Sequence, residues 1–148
     1  MAKLEFKFER GGLFIADIFV DKVPQSWKCI KAVLPVTRKA YNARWTGRES
    51  HTPINLPTKP PRENQQLHAS LGDVIYACEW PPSEVTGFEA IGWFYGPEQV
   101  RDWRGPCTVN YIGRIAPQYW EFLVEVGLRT WRQGGEDCTI RVLDASRS

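Results

Sequence analysis

The order of elements constrains this chain more than any single motif does. Alternation and helical spacing predict two strands, a short helix, a run of strands, a long amphipathic helix and one last strand. Few folds use those parts in that order, and a small β-barrel plugged by two helices is the leading one. The segment Val109-Asn110-Tyr111-Ile112-Gly113-Arg114-Ile115, just before the long helix, is the second fixed point.

Leu4, Phe6 and Phe8 alternate with Lys3, Glu5, Lys7 and Glu9, the period-two signature of a half-buried strand. Gly11-Gly12 supplies a tight turn into Leu13 to Val20, apolar except for Asp17 and read as a strand covered on both faces. Pro24 suits the first turn of a helix, and Trp27, Ile30, Val33 and Leu34 follow at helical spacing until Leu34-Pro35. Lys39 to Trp45 and Arg48 to Ile54 read as strands around a Thr46-Gly47 turn, and residues 55 to 70 as a long polar loop. Strands are expected at 74–78, 87–95 and 107–115, with a loop or one helical turn over 98–104. Pro117 opens the second helix, in which Trp120, Leu123, Val124, Gly127, Leu128 and Trp131 form an apolar stripe. Glu125 and Arg129 are spaced for an i, i+4 pair, Gly134-Gly135 ends the helix, and Cys138, Ile140 and Val142 face inward on the last strand.

One domain over residues 1–148 accommodates all of this, with 43% hydrophobic and 24% charged residues. A net charge of +2 is too small to imply a nucleic acid or an anionic membrane as partner. Cys29, Cys78, Cys107 and Cys138 have no CxxC spacing and read as reduced, mostly buried thiols. The amino terminus lacks an apolar signal core and no run approaches the ~20 apolar residues of a membrane span, so a cytoplasmic protein is expected. Self-association is left open.

The arrangement from Leu4 to Val142 resembles the cyclophilin fold, a closed eight-stranded β-barrel with two α-helices, mainly β in class. The local match is Tyr111-Ile112-Gly113-Arg114-Ile115 running through a turn into the second helix. Closer still, the chain is similar to a bacterial family of uncharacterised cyclophilin-like proteins. That likeness rests on Ala43-Arg44-Trp45-Thr46-Gly47-Arg48-Glu49, Glu63-Asn64, Gly72-Asp73-Val74 and Phe94-Tyr95-Gly96-Pro97. Cyclophilins are prolyl isomerases, and the resemblance would place Arg44 where their catalytic arginine lies and Trp103 at the pocket rim. The strand reads Asn42-Ala43-Arg44 where cyclophilins have Phe-His-Arg, and the Gln-Gly-Gly-Asp segment has no counterpart.

Candidate ligand-binding residues are Arg44, Trp45, Arg48, Glu49, Asn64, Trp93, Tyr95 and Trp103. An Arg44 anchored by Glu49 would present its planar fork to a carboxylate or carbonyl, whereas a surface ion pair on a hairpin would contribute little. Asn64 could close over the site as a polar lid, or be a solvated loop residue. Trp93, Tyr95 and Trp103 could wall a pocket, with at least one of them in the core. His51 and His68 read as exposed loop residues, and Cys107 as a buried thiol. No metal set, phosphate loop or Ser-His-Asp arrangement is apparent, and no cofactor is expected. The expected function is the binding of a small carboxylate- or amide-type molecule, or an accessory role in metabolism. The alternative is a prolyl isomerase-like or other enzyme with Arg44 as electrostatic stabiliser.

Overall fold

Leu4, Phe6 and Phe8 are all buried on β1 (Ala2–Phe8), and the two strands that pair with it alternate in the same way. The fold is that of a computed structural model describing residues 2–143. Gly11 and Gly12, at φ +110° and +91°, turn the chain into β2 (Leu13–Ile18). Next come α1 (Pro24–Lys31), β3 (Val36–Asn42) and β4 (Glu49–Pro53). Two short strands, β5 (Gln65–Gln66) and β6 (His68–Ala69), precede β7 (Asp73–Cys78) and β8 (Glu89–Phe94). The two-residue strands β9 (Glu98–Gln99), β10 (Arg101–Asp102) and β11 (Gly105–Pro106) lead to β12 (Val109–Ile115). A 3-10 turn over Pro117–Tyr119 runs into α2 (Trp120–Gln133), and β13 (Glu136–Val142) closes the chain.

Eight strands pair antiparallel in the order β2-β1-β13-β3-β4-β8-β7-β12, and β12 returns to β2 through Gly113–Ile18, Arg114–Asp17 and Ile115–Ala16. The result is a closed barrel, which leaves no unpaired sheet edge among these eight. β5 extends the sheet beside β12, and β6–β9 and β10–β11 form two small additional sheets. Inside the barrel Trp93 is fully buried among Phe6, Phe8 and Phe14, with ring centroids 5.4–5.9 Å apart. Among the described residues no helix is long and apolar enough to cross a membrane. All four cysteines are free thiols, Cys138 buried and the other three half-buried.

Several expectations are corrected. β3 ends at Asn42, so Arg44 and Trp45 lie in a loop rather than on a strand. The pairing stops after the Ala43 amide reaches the Glu49 carbonyl at 2.7 Å. Beyond it, the Thr46 hydroxyl exchanges hydrogen bonds with the backbone of Arg101 (3.2 and 3.1 Å), which offers the loop an alternative to a ladder. Residues 101–106 form a hairpin, not a helical turn, around Gly105 at φ +116°. α1 ends at Lys31, leaving Val33 and Leu34 beyond it.

The buried face of α2 is Leu123, Val126, Gly127 and Thr130, whereas Leu128 and Trp131 are exposed. Gly127 sets this rotation, since any Cβ there would overlap the Tyr95 ring. Arg129 does not pair along the helix with Glu125. It donates instead to the fully buried Glu136 at 2.7 Å and to the Gly11 carbonyl, tying α2 to β13 and the first hairpin.

Candidate functional site

The pleat of β4 puts Ser50 and Thr52 toward the barrel core and Glu49 and His51 on the outer face. Opposite them on the neighbouring strands, Gly92 and Ile75 share that outer face. There a second, smaller apolar cluster of Ile75, Phe94, Val100, Val109 and Ala69 forms under residues 98–109. A cavity of about 610 Å³ opens beside it, bounded by the 43–46 loop, the end of β7, the turn through Ser83 and Phe88, and the β10–β11 hairpin.

Its walls are aromatic. Trp45, Phe88 and Trp103 are 48%, 42% and 46% exposed, unusually high for such side chains, and all three line this one cavity with the buried Trp80. Cations stack on them: the Arg44 guanidinium lies 5.0 Å from the Trp45 ring centre, Arg104 5.0 Å from Trp103 and Arg62 4.7 Å from Trp80. Arg104 is also bound by Asp102 at 3.0 Å, and Arg62 by Gln65 and Thr108. Arg44 has no hydrogen-bonding or ion-pair partner among the described residues, so its donors remain available.

The acids differ sharply. Glu79 is ordered by the Thr86 hydroxyl and amide (both 2.7 Å) and the Phe88 amide (3.2 Å). Burial raises its pKa, but these bonds and that of the Trp103 indole outweigh it and hold the carboxyl at about 2, ionised. Glu49 is buried with no ion-pair partner among the described residues, and burial raises its pKa to about 8, against the lowering hydrogen bond with Thr46 and with a smaller push from Glu98. At neutral pH the floor therefore carries a protonated carboxyl. His51 is held neutral by burial, its pKa lowered to about 4, and Phe88 packs edge-on against its ring. Cys107, also at the cavity, is pushed up to about 11 by burial and is no nucleophile at neutral pH.

Of the residues singled out from the sequence, Arg44, Trp45, Glu49 and Trp103 come together here. The expected Arg44–Glu49 anchor is not formed; Glu98 instead pairs with Arg48 at 3.4 Å and accepts its amide, away from the cavity. Asn64 is not a lid: at φ +46° it donates to the Tyr111 carbonyl at 2.8 Å, in a loop pinned through Glu63 and Pro61 to the buried Asn110. Trp93 belongs to the barrel core, and Tyr95 packs on α2 while its hydroxyl donates to Asn42 and Gly47. His51 is on β4 rather than in an exposed loop; His68 is exposed on β6. Sequence reading missed Glu79 and Trp80, whose only signal was an acid and an aromatic set directly before Pro81-Pro82, and Phe88, which carried none. Among the described residues no three His, Cys, Asp or Glu side chains are grouped to hold a metal.

The fold is a closed β-barrel with a cavity of about 610 Å³ on its outer face. Residues 8–142 match the family described as a protein of unknown function, DUF3830, and the chain belongs to that family. Comparison with curated proteins finds no match. Among solved structures, the chain is similar to McbB in complex with tryptophan, at 14% identity and a TM-score of 0.71, over 93% of this chain and 44% of that one. This chain thus spans less than half the length of McbB. It is also similar to the hypothetical protein AF2241 from Archaeoglobus fulgidus, at 23% identity and a TM-score of 0.61, over 95% and 93% of the two chains. Identities this low establish a shared fold and nothing finer.

Proposed function

We propose that this protein binds a small planar organic anion in the outer-face cavity, with Trp45 and Trp103 as walls and Arg44 as the carboxylate anchor. The observation that carries the reading is the convergence of three exposed aromatic side chains on one cavity whose rim holds an unpaired guanidinium. Burying those rings against a flat ligand removes apolar surface from water, and the planar fork of Arg44 matches a carboxylate in two parallel hydrogen bonds. McbB, a structural neighbour, is a protein seen with tryptophan, an amino acid with a flat indole side chain and an α-carboxylate. The free thiols fit a reducing compartment, and we place the protein in the cytoplasm.

Naphthoate is a suitable probe, being flat, apolar and singly charged. Titration calorimetry is expected to show saturable binding that Arg44→Ala weakens about 10- to 100-fold, the range for a charge-assisted hydrogen bond. Trp103→Ala should weaken it comparably. Equal affinity in wild type and Arg44→Ala removes the anchor and the reading with it.

A further inference from the structure

Glu49 is the one carboxyl at the cavity whose burial is not matched by a partner charge. It is 8% exposed, it lines the cavity, and among the described residues no Lys, Arg or His lies within ion-pair distance of it. One oxygen lies close above Gly92, where any Cβ would displace it. An ionised carboxylate in such a place would be strongly penalised, while a protonated one is tolerated. The two forms also differ in what they recognise. A carboxylate only accepts hydrogen bonds, whereas a carboxylic acid presents one O–H donor beside one carbonyl acceptor. The complement of that edge is a cis-amide, as in a lactam, whose C=O accepts and whose N–H donates.

We propose that Glu49 acts as a protonated recognition group, so that the preferred ligand is a flat cyclic amide carrying a carboxylate, with its lactam edge against Glu49 and its carboxylate against Arg44. This rests on the binding reading above and narrows it to one class of compound. The buried Glu49 and the exposed Arg44 line the same cavity, as do Trp45 and Trp103. The raised pKa of Glu49, about 8, agrees with the geometry.

The groups that face Glu49 do not confuse a pH test. His51, two residues along β4, titrates at about 4, and Cys107, before β12, at about 11. Glu98 of β9 is paired with Arg48, Thr46 supplies a neutral hydroxyl, and β7 and β8 present Ile75 and Gly92. Arg44 and Arg101 also line the cavity.

The test compares naphthoate with a quinolinone carboxylate of the same shape, in which the distal ring is a lactam, by titration calorimetry from about pH 6 to about pH 9.5. Wild type is expected to bind the lactam roughly tenfold more tightly below pH 7, the value of one well-made hydrogen bond, and to lose that advantage as pH rises through about 8. Glu49→Gln, which keeps a donor beside an acceptor, should hold the preference at every pH. Glu49→Leu should abolish it. Equal affinity of wild type for the two probes, or a preference that ignores pH in wild type, overturns the role of Glu49 while leaving the binding site in place. If wild type binds neither probe, the binding reading falls first and the role of Glu49 with it.

Discussion

A Gly113→Val protein is expected to lose about 3 kcal/mol or more of stability, enough to threaten the fold. Gly113 lies where β12 is shared between two neighbours, opposite Ile18 of β2 and Val74 of β7, and the register of β12 against β7 slips just before it. A Cβ there would overlap the backbone carbonyl of Asp17 and the Ile18 side chain. A flexible side chain could move aside, but a backbone carbonyl that faces β12 in the β2–β12 pairing cannot. The cost therefore falls on the seam that closes the barrel. For a domain of this size that is roughly ten degrees in the melting temperature, at about 2–4 °C per kcal/mol. A melting temperature within about 2 °C of wild type would show that β12 and β2 can separate freely, contrary to their close approach at this position.

Glu49→Gln is expected to stabilise the protein, and only at neutral to alkaline pH. The folded pKa of about 8 exceeds the ordinary value of 4.5, so between those values the folded state retains a proton that the unfolded chain has released. The contribution of Glu49 is then complete below about pH 4.5 and is lost as pH rises through about 8. A glutamine of the same shape has no such dependence. Urea unfolding at several pH values should show the two proteins close together near pH 5 and the variant ahead by a few kcal/mol near pH 9, since each tenfold difference in proton affinity between the folded and unfolded states is worth about 1.4 kcal/mol. Parallel profiles across that range would mean that Glu49 is ionised in the folded protein. The Glu49-based ligand preference would then have no basis.

Much of the barrel was legible because strands and helices leave local periodicities. Leu4, Phe6 and Phe8 on β1, the Gly11-Gly12 turn, Pro24 at the head of α1 and Ile140 on β13 all follow from spacing alone. What escaped was set at long range. Thr46 leaves the expected hairpin for Arg101, 55 residues further on, and this carries Arg44 and Trp45 from a strand into the wall of the cavity. Tyr95 chooses the face of α2 by resting on Gly127, which exposes Leu128 and Trp131. Trp93 and Trp103 look alike as residues, yet one fills the barrel and the other lines the cavity. Strand alternation sends Trp93 inward beside Ser50, while the small hairpin carries Trp103 outward. Arg44 and Glu49 were recognisable by type, but not their independence, because that depends on a buried carboxyl lying against Gly92 rather than toward the guanidinium.

Whether the outer-face cavity is a ligand site decides most of what has been proposed for this protein, and an amide-resolved NMR titration with naphthoate answers it residue by residue. Saturable shifts are expected to gather on residues 43–49, 78–80 and 101–109, together with the indole N–H signals of Trp45, Trp80 and Trp103. The fully buried Trp93 indole should stay where it is. The absence of saturable shifts, or shifts gathered around the second cavity lined by Lys3, Asp17, Gln118 and Arg141, would contradict a site on this face.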